Sequence, residues 1–486
     1  MSNPHLHSTA PRQSIALTDK HPSSPPSTGL DTGNNTEKDA NPNPYPITSS
    51  NSDSDPDAHL NDISPAPDGG PRAWLVAAAS AFIFFCALGY SNAFGVYEQY
   101  HLLSPHSPLS SSHTHTASMS SSKIAWIGSL QSFLSFFTGL FAGPLFDRYG
   151  ASATVRPGAV LMIFAVMMTS LCKTYWQLML AQGVLNGVAM GLLMFPAMAA
   201  VAQWFEKRRA AALGLAVSGS SVGGVVVPIV LGRLLNGGGG GSGHVGDYGH
   251  GGKLGFGWSV RVIGFVMLPL LGFASLAIKP RLPPRTTSFF LAKALKQNDF
   301  VMLVVAIFFL FLGMLTPLFF IPTYAVSRGV DATLARYLLA IVNAASTFGR
   351  IIPGVMADRV GKLNVLAVGG VASGIIILCF NKAETTAGLI VYSVVYGFSS
   401  GMIISGASAA LTVCPRDPRD LGTYIGMGMA LGSIAVLIGP PINGKLIDVY
   451  GGYSELSIFS GVMCLVGGLV TVASKMATPQ GILGRV

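Results

Sequence analysis

Past residue 72 the chain alternates between long apolar runs and polar breaks. Each run is about 20 residues, enough for a helix to cross ~30 Å of hydrocarbon. A backbone in lipid must bond to itself, and an apolar run does so as a helix. The pattern predicts twelve spanning helices, at roughly 73–97, 123–146, 154–173, 176–202, 208–235, 258–279, 299–324, 333–357, 364–381, 387–412, 421–443 and 455–474. The fold class is therefore an all-α membrane protein. Residues 1–68 are different, rich in Ser, Pro, Asn, Asp and Thr and poor in large apolar side chains. Such a segment buries too little apolar surface to offset chain entropy, so it reads as a disordered tail. An even number of spans places both termini in the cytosol, including the tail 476–486.

The runs repeat. Gly143-Pro-Leu-Phe-Asp147-Arg148-Tyr-Gly150 and Gly354-Val-Met-Ala-Asp358-Arg359-Val-Gly361 share the pattern G-x-x-x-D-R-x-G at an offset of 211 residues. Pro228-Ile-Val-Leu-Gly232-Arg233 and Pro440-Pro-Ile-Asn-Gly444-Lys445 form a second pair at 212, where Gly214 also meets Gly426 and Ser221 meets Ser433. Two copies of one motif on one membrane face are separated by an even number of spans, and six fit the offset. The domains are then a six-helix half at 69–279, a cytosolic linker at 280–298 and a six-helix half at 299–475. Parallel six-helix halves resemble the major facilitator architecture. In the linker, Pro283-Pro284 precede Phe289-Phe290-Leu-Ala-Lys293-Ala-Leu-Lys296, which reads as a short amphipathic helix on the inner surface.

Composition supports the membrane class. Half the residues are apolar and 10% are charged, against roughly a quarter charged in soluble domains. The net charge of +9 sits in short loops. Lipid headgroups and topology account for it better than nucleic acid does. Inner loops and their edges carry fourteen Lys and Arg, the outer ones nine. The first apolar run, beginning at Ala73, directs membrane insertion, with no cleavable signal before it. A multi-pass protein of the plasma membrane follows. The five cysteines lie in or beside apolar segments without a C-x-x-C pair, as packing residues. The histidines of loop 101–122 (His101, His106, His113, His115) and the Gly-rich loop 236–257 (His244, His250) read as solvated, flexible connections, with no metal site and no cofactor.

Few polar residues remain inside the spans. Arg350 is the sharpest candidate, because a central Arg costs roughly 2.5–3.5 kcal/mol to insert and so faces a cavity or a partner. Asn343, Ser346, Thr347 and Arg350 share one helix face. The guanidinium fork suits a carboxylate or another planar oxyanion; snorkelling, or bonds to helix-end carbonyls, is the competing explanation. Asn92, Gln182 with Asn186, and Tyr396 are further substrate-binding candidates, for which interhelical hydrogen bonds are the simpler account. In the repeated motif Gly143 and Gly354 admit a neighbouring helix, while Asp147 and Asp358, each followed by Arg148 or Arg359, can accept bonds from a helix N-terminus. Ordinary charge anchoring would explain one copy; two matched copies favour a conformational latch. All ten histidines lie outside the spans, and no Asp or Glu sits near a span centre. A buried proton relay lacks its usual residues, and a coupling ion stays unidentified. No G-x-x-x-x-G-K-[ST] motif is present to couple ATP.

Two further stretches carry a family resemblance. Asp68-Gly-Gly-Pro-Arg-Ala-Trp74 resembles the acidic-Gly-Gly…Trp signature that precedes span one in monocarboxylate transporters of the major facilitator superfamily. Trp204-Phe205-Glu206-Lys207-Arg208-Arg209-Ala-Ala-Ala-Leu-Gly214-Leu-Ala-Val-Ser-Gly219-Ser220 resembles the family's aromatic–basic–Gly-Ser signature before span five. The similarity covers about 68–475 and is closest to fungal members. It implies that Arg350 is the family's span-eight basic residue. The acidic residue one turn earlier falls on Ser346, and the span-one lysine falls on Val96, so the groups of proton–lactate symport are not in place. The expected function is secondary transport of a small organic, anionic metabolite by alternating access. Fungal members include uptake carriers and exporters of secondary metabolites. A transporter-shaped nutrient sensor with little flux is the alternative, and a membrane enzyme is the most distant reading.

Overall fold

The computed structural model describes residues 66–103, 107–109, 121–236, 254–284 and 291–476. The tail before residue 66, the last ten residues, and most of the two His-bearing loops lie outside that range. Every long element is helical. Pro71 opens α1, with its fixed φ and missing N–H placed where a helix start tolerates both. Helix α1 runs Pro71–Asn92 and resumes as Phe94–Leu103 after a break at Ala93. Helix α2 runs Ser121–Phe137 and Gly139–Tyr149, and α3 Val155–Thr169. Helix α4 is composite: Tyr175–Leu178, a π-helical segment Met179–Leu185, and Asn186–Trp204. Then come α5 (Arg209–Asn236), α6 (Gly255–Ala277), α7 (Asn298–Ser327), α8 (Ala332–Val360), α9 (Lys362–Leu378), α10 (Thr386–Leu411), α11 (Leu421–Tyr450) and α12 (Ser454–Met476).

Eleven of these are long and apolar enough to span a membrane. The twelfth, α9, has 17 residues and is extended by a 3₁₀ turn at Phe380–Lys382. Phe289 and Phe290 of the linker lie outside the described residues; in the described part Ala292–Lys296 forms a short 3₁₀ helix, not an α-helix, with Ala294 buried. Helix α7 begins two residues later, which leaves no room for a second amphipathic turn.

The repeated motif explains its own glycines. Gly150 ends α2 at φ +76°, and Gly361 separates α8 from α9 at φ +111°. Both conformations disfavour a Cβ. The first glycine of each copy is a point of close approach. A Cβ on Gly143 would run into the carbonyl of Gly422, and one on Gly354 would lie 2.9 Å from the carbonyl of Ala210. Helix α2 thus packs on α11, and α8 on α5, each pair crossing between the halves.

The interior is one large apolar core with a small second cluster at Ile127, Cys172, Leu178 and Ala181, while residues such as Val160, Phe164, Leu276, Val368 and Leu469 stand exposed on the outer faces. That inversion is what a lipid-facing surface requires. In the C-terminal half, Thr316, Asn443 and Ser460 tie α7, α11 and α12 into a closed triangle of buried hydrogen bonds. The links are Thr316–Ser460 at 2.6 Å, Asn443–Thr316 at 2.6 Å and Ser460–Asn443 at 3.1 Å.

Candidate functional site: two carboxylate caps and a buried arginine

Asp147 sits at the end of α2 and is buried. Its Oδ1 accepts the N–H of Gly422 at 3.1 Å. Its Oδ2 accepts the N–H and the hydroxyl of Thr423, at 2.6 and 2.7 Å. These groups open α11 in the other half. Asp358, near the end of α8, accepts the N–H groups of Ala210 and Ala211 at 2.8 and 2.9 Å. Those open α5. The repeat offset of 212 carries Ala210 onto Gly422 and Ala211 onto Thr423, so the two caps are one arrangement used twice. Each places a carboxylate where the helix dipole and unpaired N–H donors favour negative charge. The arginines of the motif do less: Arg148 lies over the Tyr149 ring, 5.7 Å from its centre, and Arg359 is exposed.

A second layer wraps the start of α5. Asp68 Oδ1 accepts from the backbone N–H of Glu206, Lys207 and Arg208 at 2.6, 2.7 and 3.4 Å. Trp74 meets Phe205 edge to face at 5.0 Å, and Arg72 lies 5.5 Å over Trp204. Trp204 Nε1 donates to the Lys279 carbonyl at 3.0 Å, and Arg281 Nε donates to the Gln203 carbonyl at 2.7 Å. Arg209 bonds its own turn at the Phe205 carbonyl, 2.9 Å, and reaches the Thr412 carbonyl of the other half at 3.5 Å. The two sequence signatures, 68–74 and 204–209, are therefore two sides of one contact.

Deeper between α5 and α8 lies Arg350, 95% shielded from solvent. One Nη donates to the Val217 carbonyl at 3.0 Å and to the Ser220 hydroxyl, which itself donates to Val217. The Nε has no hydrogen-bond partner among the described residues. Among the described residues no carboxylate forms an ion pair with it. At the repeat offset its counterpart is Gly139, so the cation has no twin. Asn343 and Ser346 are buried on the same face, and Thr347 donates to the Asn343 carbonyl at 3.2 Å. Asn92 joins them. A Cβ on Gly224 of α5 would lie 2.6 Å from Asn92 Nδ2 and 2.8 Å from Asn343 Oδ1, so only a glycine lets both amides approach there.

The other candidates lie elsewhere. Tyr396 donates its hydroxyl to the Met314 carbonyl and stacks on Tyr392 at 5.9 Å, an α7–α10 contact inside the C-terminal half. Gln182 and Asn186 are buried on α4, against α2. The pairing of Ser220 and Val217 with Arg350, and Gln131 on α2, whose backbone packs on Gly187 next to Asn186, were not singled out from the sequence. Ser220 closes the aromatic–basic–Gly-Ser signature, but nothing in that pattern points to an arginine 130 residues later, and a lone Gln carries no local pattern at all.

The chain matches the Major Facilitator Superfamily model over residues 73–416 and again over 329–481. The chain belongs to the Major Facilitator Superfamily. This facilitator is 46% identical over 418 residues to an aspyridones efflux protein of Emericella nidulans, covering 86% of this chain and 80% of that one. It is 39% identical over 425 residues to an agnestins efflux protein of Paecilomyces divaricatus, covering 86% and 91%. In fold it is similar to the proton:xylose symporter XylE, with a TM-score of 0.64, 13% identity, and coverage of 82% of this chain and 94% of that one. The caps at Asp147 and Asp358 and the cation at Arg350 thus belong to a transporter of small molecules.

Proposed function

We propose that this facilitator exports a secondary metabolite bearing a carboxylate or similar oxyanion, by alternating access between the halves, as a monocarboxylate-transporter-like carrier of the plasma membrane with both termini in the cytosol. The observation that carries the anion is Arg350: a buried, fixed cation with an unpaired Nε. A bound carboxylate supplies the counter-charge that the protein does not. Asn343, Ser346, Thr347 and Asn92 surround the approach to it, and Tyr396, Gln182 and Asn186 stand further off. Export is supported by the names of relatives at 46% and 39% identity, both efflux proteins for fungal metabolites. The caps at Asp147 and Asp358, with Gly143, Arg148, Gly354 and Arg359 around them, act as a latch that holds one membrane face closed and lets go during the cycle. Transport under imposed ion gradients tests for a coupling ion.

The test is deletion of the gene, followed by metabolite profiling of cells and medium. An acidic metabolite should accumulate inside and fall in the medium. Reintroduced Arg350→Ala should not restore export, and Arg350→Lys should restore little, because it keeps the charge but not the fork. Neutral metabolites accumulating instead would remove the anion reading. An unchanged distribution of all metabolites would favour a sensor over a carrier.

A further inference from the structure

Buried polar atoms in native proteins nearly always find partners. Three amides in the N-terminal half do not. Gln182 and Asn186 on α4, and Gln131 on α2, are each 99% or more shielded from solvent. Gln182 Nε2, both amide atoms of Asn186, and Gln131 Oε1 have no hydrogen-bond partner among the described residues. The remaining polar atom of Gln131, its Nε2, rests on the Met190 sulfur at 3.4 Å, a weak acceptor. Gln182 also falls inside the π-helical segment of α4. Such segments redirect side chains at the expense of regular helical bonding, and they recur at functional sites.

The other half shows the same place filled without amides. Gly187 rests on the carbonyl of Gln131, and Gly397 on that of Val342. One turn on, Gly191 and Gly401 rest on the carbonyls of Ser135 and Ser346. The α2–α4 and α8–α10 pairs are therefore the same contact, made twice. In that alignment Gln182 corresponds to Tyr392, Asn186 to Tyr396 and Gln131 to Val342. The C-terminal half fills the place with a stacked tyrosine pair, in which Tyr396 bonds the Met314 carbonyl and a single hydroxyl, that of Tyr392, has no partner among the described residues. The helix pair packs without amides, so packing does not account for three of them.

We propose that Gln131, Gln182 and Asn186 form a second ligand subsite for an uncharged group that both donates and accepts hydrogen bonds, such as a carboxamide or lactam. Two free donors and two free acceptors, with no ionisable group among them, match that chemistry. Gln131 lies sixteen residues before Asp147, and Arg350 eight before Asp358. The amide subsite is thus ~12 Å further from the latch face than Arg350. A cargo that engages both sites carries its anion and its amide at opposite ends. The inference rests on the reading of the chain as a metabolite carrier, but not on the role of Arg350.

Calorimetric titration of the full chain in lipid nanodiscs tests it, with two rigid probes. One is 4'-acetamidobiphenyl-4-carboxylate; the other replaces the acetamide by an isopropyl group. The native chain should prefer the amide probe by about tenfold, the worth of one or two neutral hydrogen bonds. Gln182→Met with Asn186→Leu should erase the preference, leave the isopropyl probe's Kd unchanged, and leave Tm unchanged or raised. Equal affinity of the native chain for both probes overturns the subsite, as does a preference that survives the double variant. A fall in Tm, or loss of folded protein, in both the double variant and Gln131→Met overturns it too, because the amides are then structural. Arg350→Ala separates the two readings: it should weaken both probes alike. If it weakens neither while the amide preference persists, the anion reading falls and the subsite stands. Binding of neither probe counts against both.

Discussion

Asp147→Asn is the sharpest perturbation of the latch. Asp147 holds three donors, two backbone and one hydroxyl, at a buried site. Hydrogen bonds to a charged group contribute ~1.5–3 kcal/mol, neutral ones ~1. Asparagine keeps one acceptor, turns its NH₂ toward the other donors, and gives up the attraction of the helix terminus. Relief of the buried charge offsets part of the loss. A net cost of ~2–3 kcal/mol to the latched state shifts its equilibrium against the open one by about 30- to 150-fold. Asp358 holds two donors at a half-buried site. Asp358→Asn should cost nearer ~1 kcal/mol, about fivefold. The readout is the distance distribution between spin labels at Lys207→Cys and Arg416→Cys, exposed residues of opposite halves, in a Cys379→Ser background. Asp147→Asn should populate a longer distance far more than Asp358→Asn, with little change in the amount of folded protein. Unchanged distributions in both variants, or the opposite order, would refute the reasoning.

Three further outcomes are expected. Gly143→Ala should lose ~1–3 kcal/mol of latched-state packing, because its Cβ meets the Gly422 carbonyl, whereas Gly444→Ala, with open space around it, should be neutral by thermal melting. An impermeant maleimide applied to intact cells should label exposed Cys379 and spare Cys414, whose thiol is pushed up to about 12 by burial; labelling of Cys379 only after permeabilisation would reverse the membrane orientation. Asn443→Leu should destabilise the C-terminal half by ~2–3 kcal/mol, since it leaves Thr316 and Ser460 each short of a buried partner, and a denaturation midpoint equal to that of the native chain would argue that the triangle contributes nothing.

Much of this was readable in the chain because lipid removes choices. Where the backbone must bond to itself, an apolar run of sufficient length is a helix, and only its ends are open. The repeat then located Asp147 and Asp358 as equivalent positions, and both are found on helix starts of the opposite half. Arg350 stood out because an isolated charge in hydrocarbon has no cheap explanation. What the sequence did not reveal depends on contacts across helices. The breaks at Ala93 and Thr138, and the π segment before Asn186, have no local signal, because the same residues would serve a regular helix. Grouping Tyr396 with Arg350 treated every polar residue in a span as a candidate, yet its hydroxyl is engaged by the α7 backbone. Gln131 went unnoticed because only the fold packs it on Gly187 of α4. The linker was read as amphipathic from eight residues, too few to outweigh the immediate start of α7.

Asp68 sets a boundary that the low complexity of residues 1–65 would not suggest. The polar tail reads as dispensable along its whole length. Yet its last acidic residue closes off three N–H groups ahead of α5, one turn from the pair held by Asp358. The start of α5 therefore answers to both halves: Asp68 reaches it from its own half and Asp358 from the other. A shortened chain beginning at residue 60 keeps both carboxylates. A chain beginning at residue 70 loses Asp68 and, on the latch reading proposed above, leaves the turn to the one carboxylate that must release.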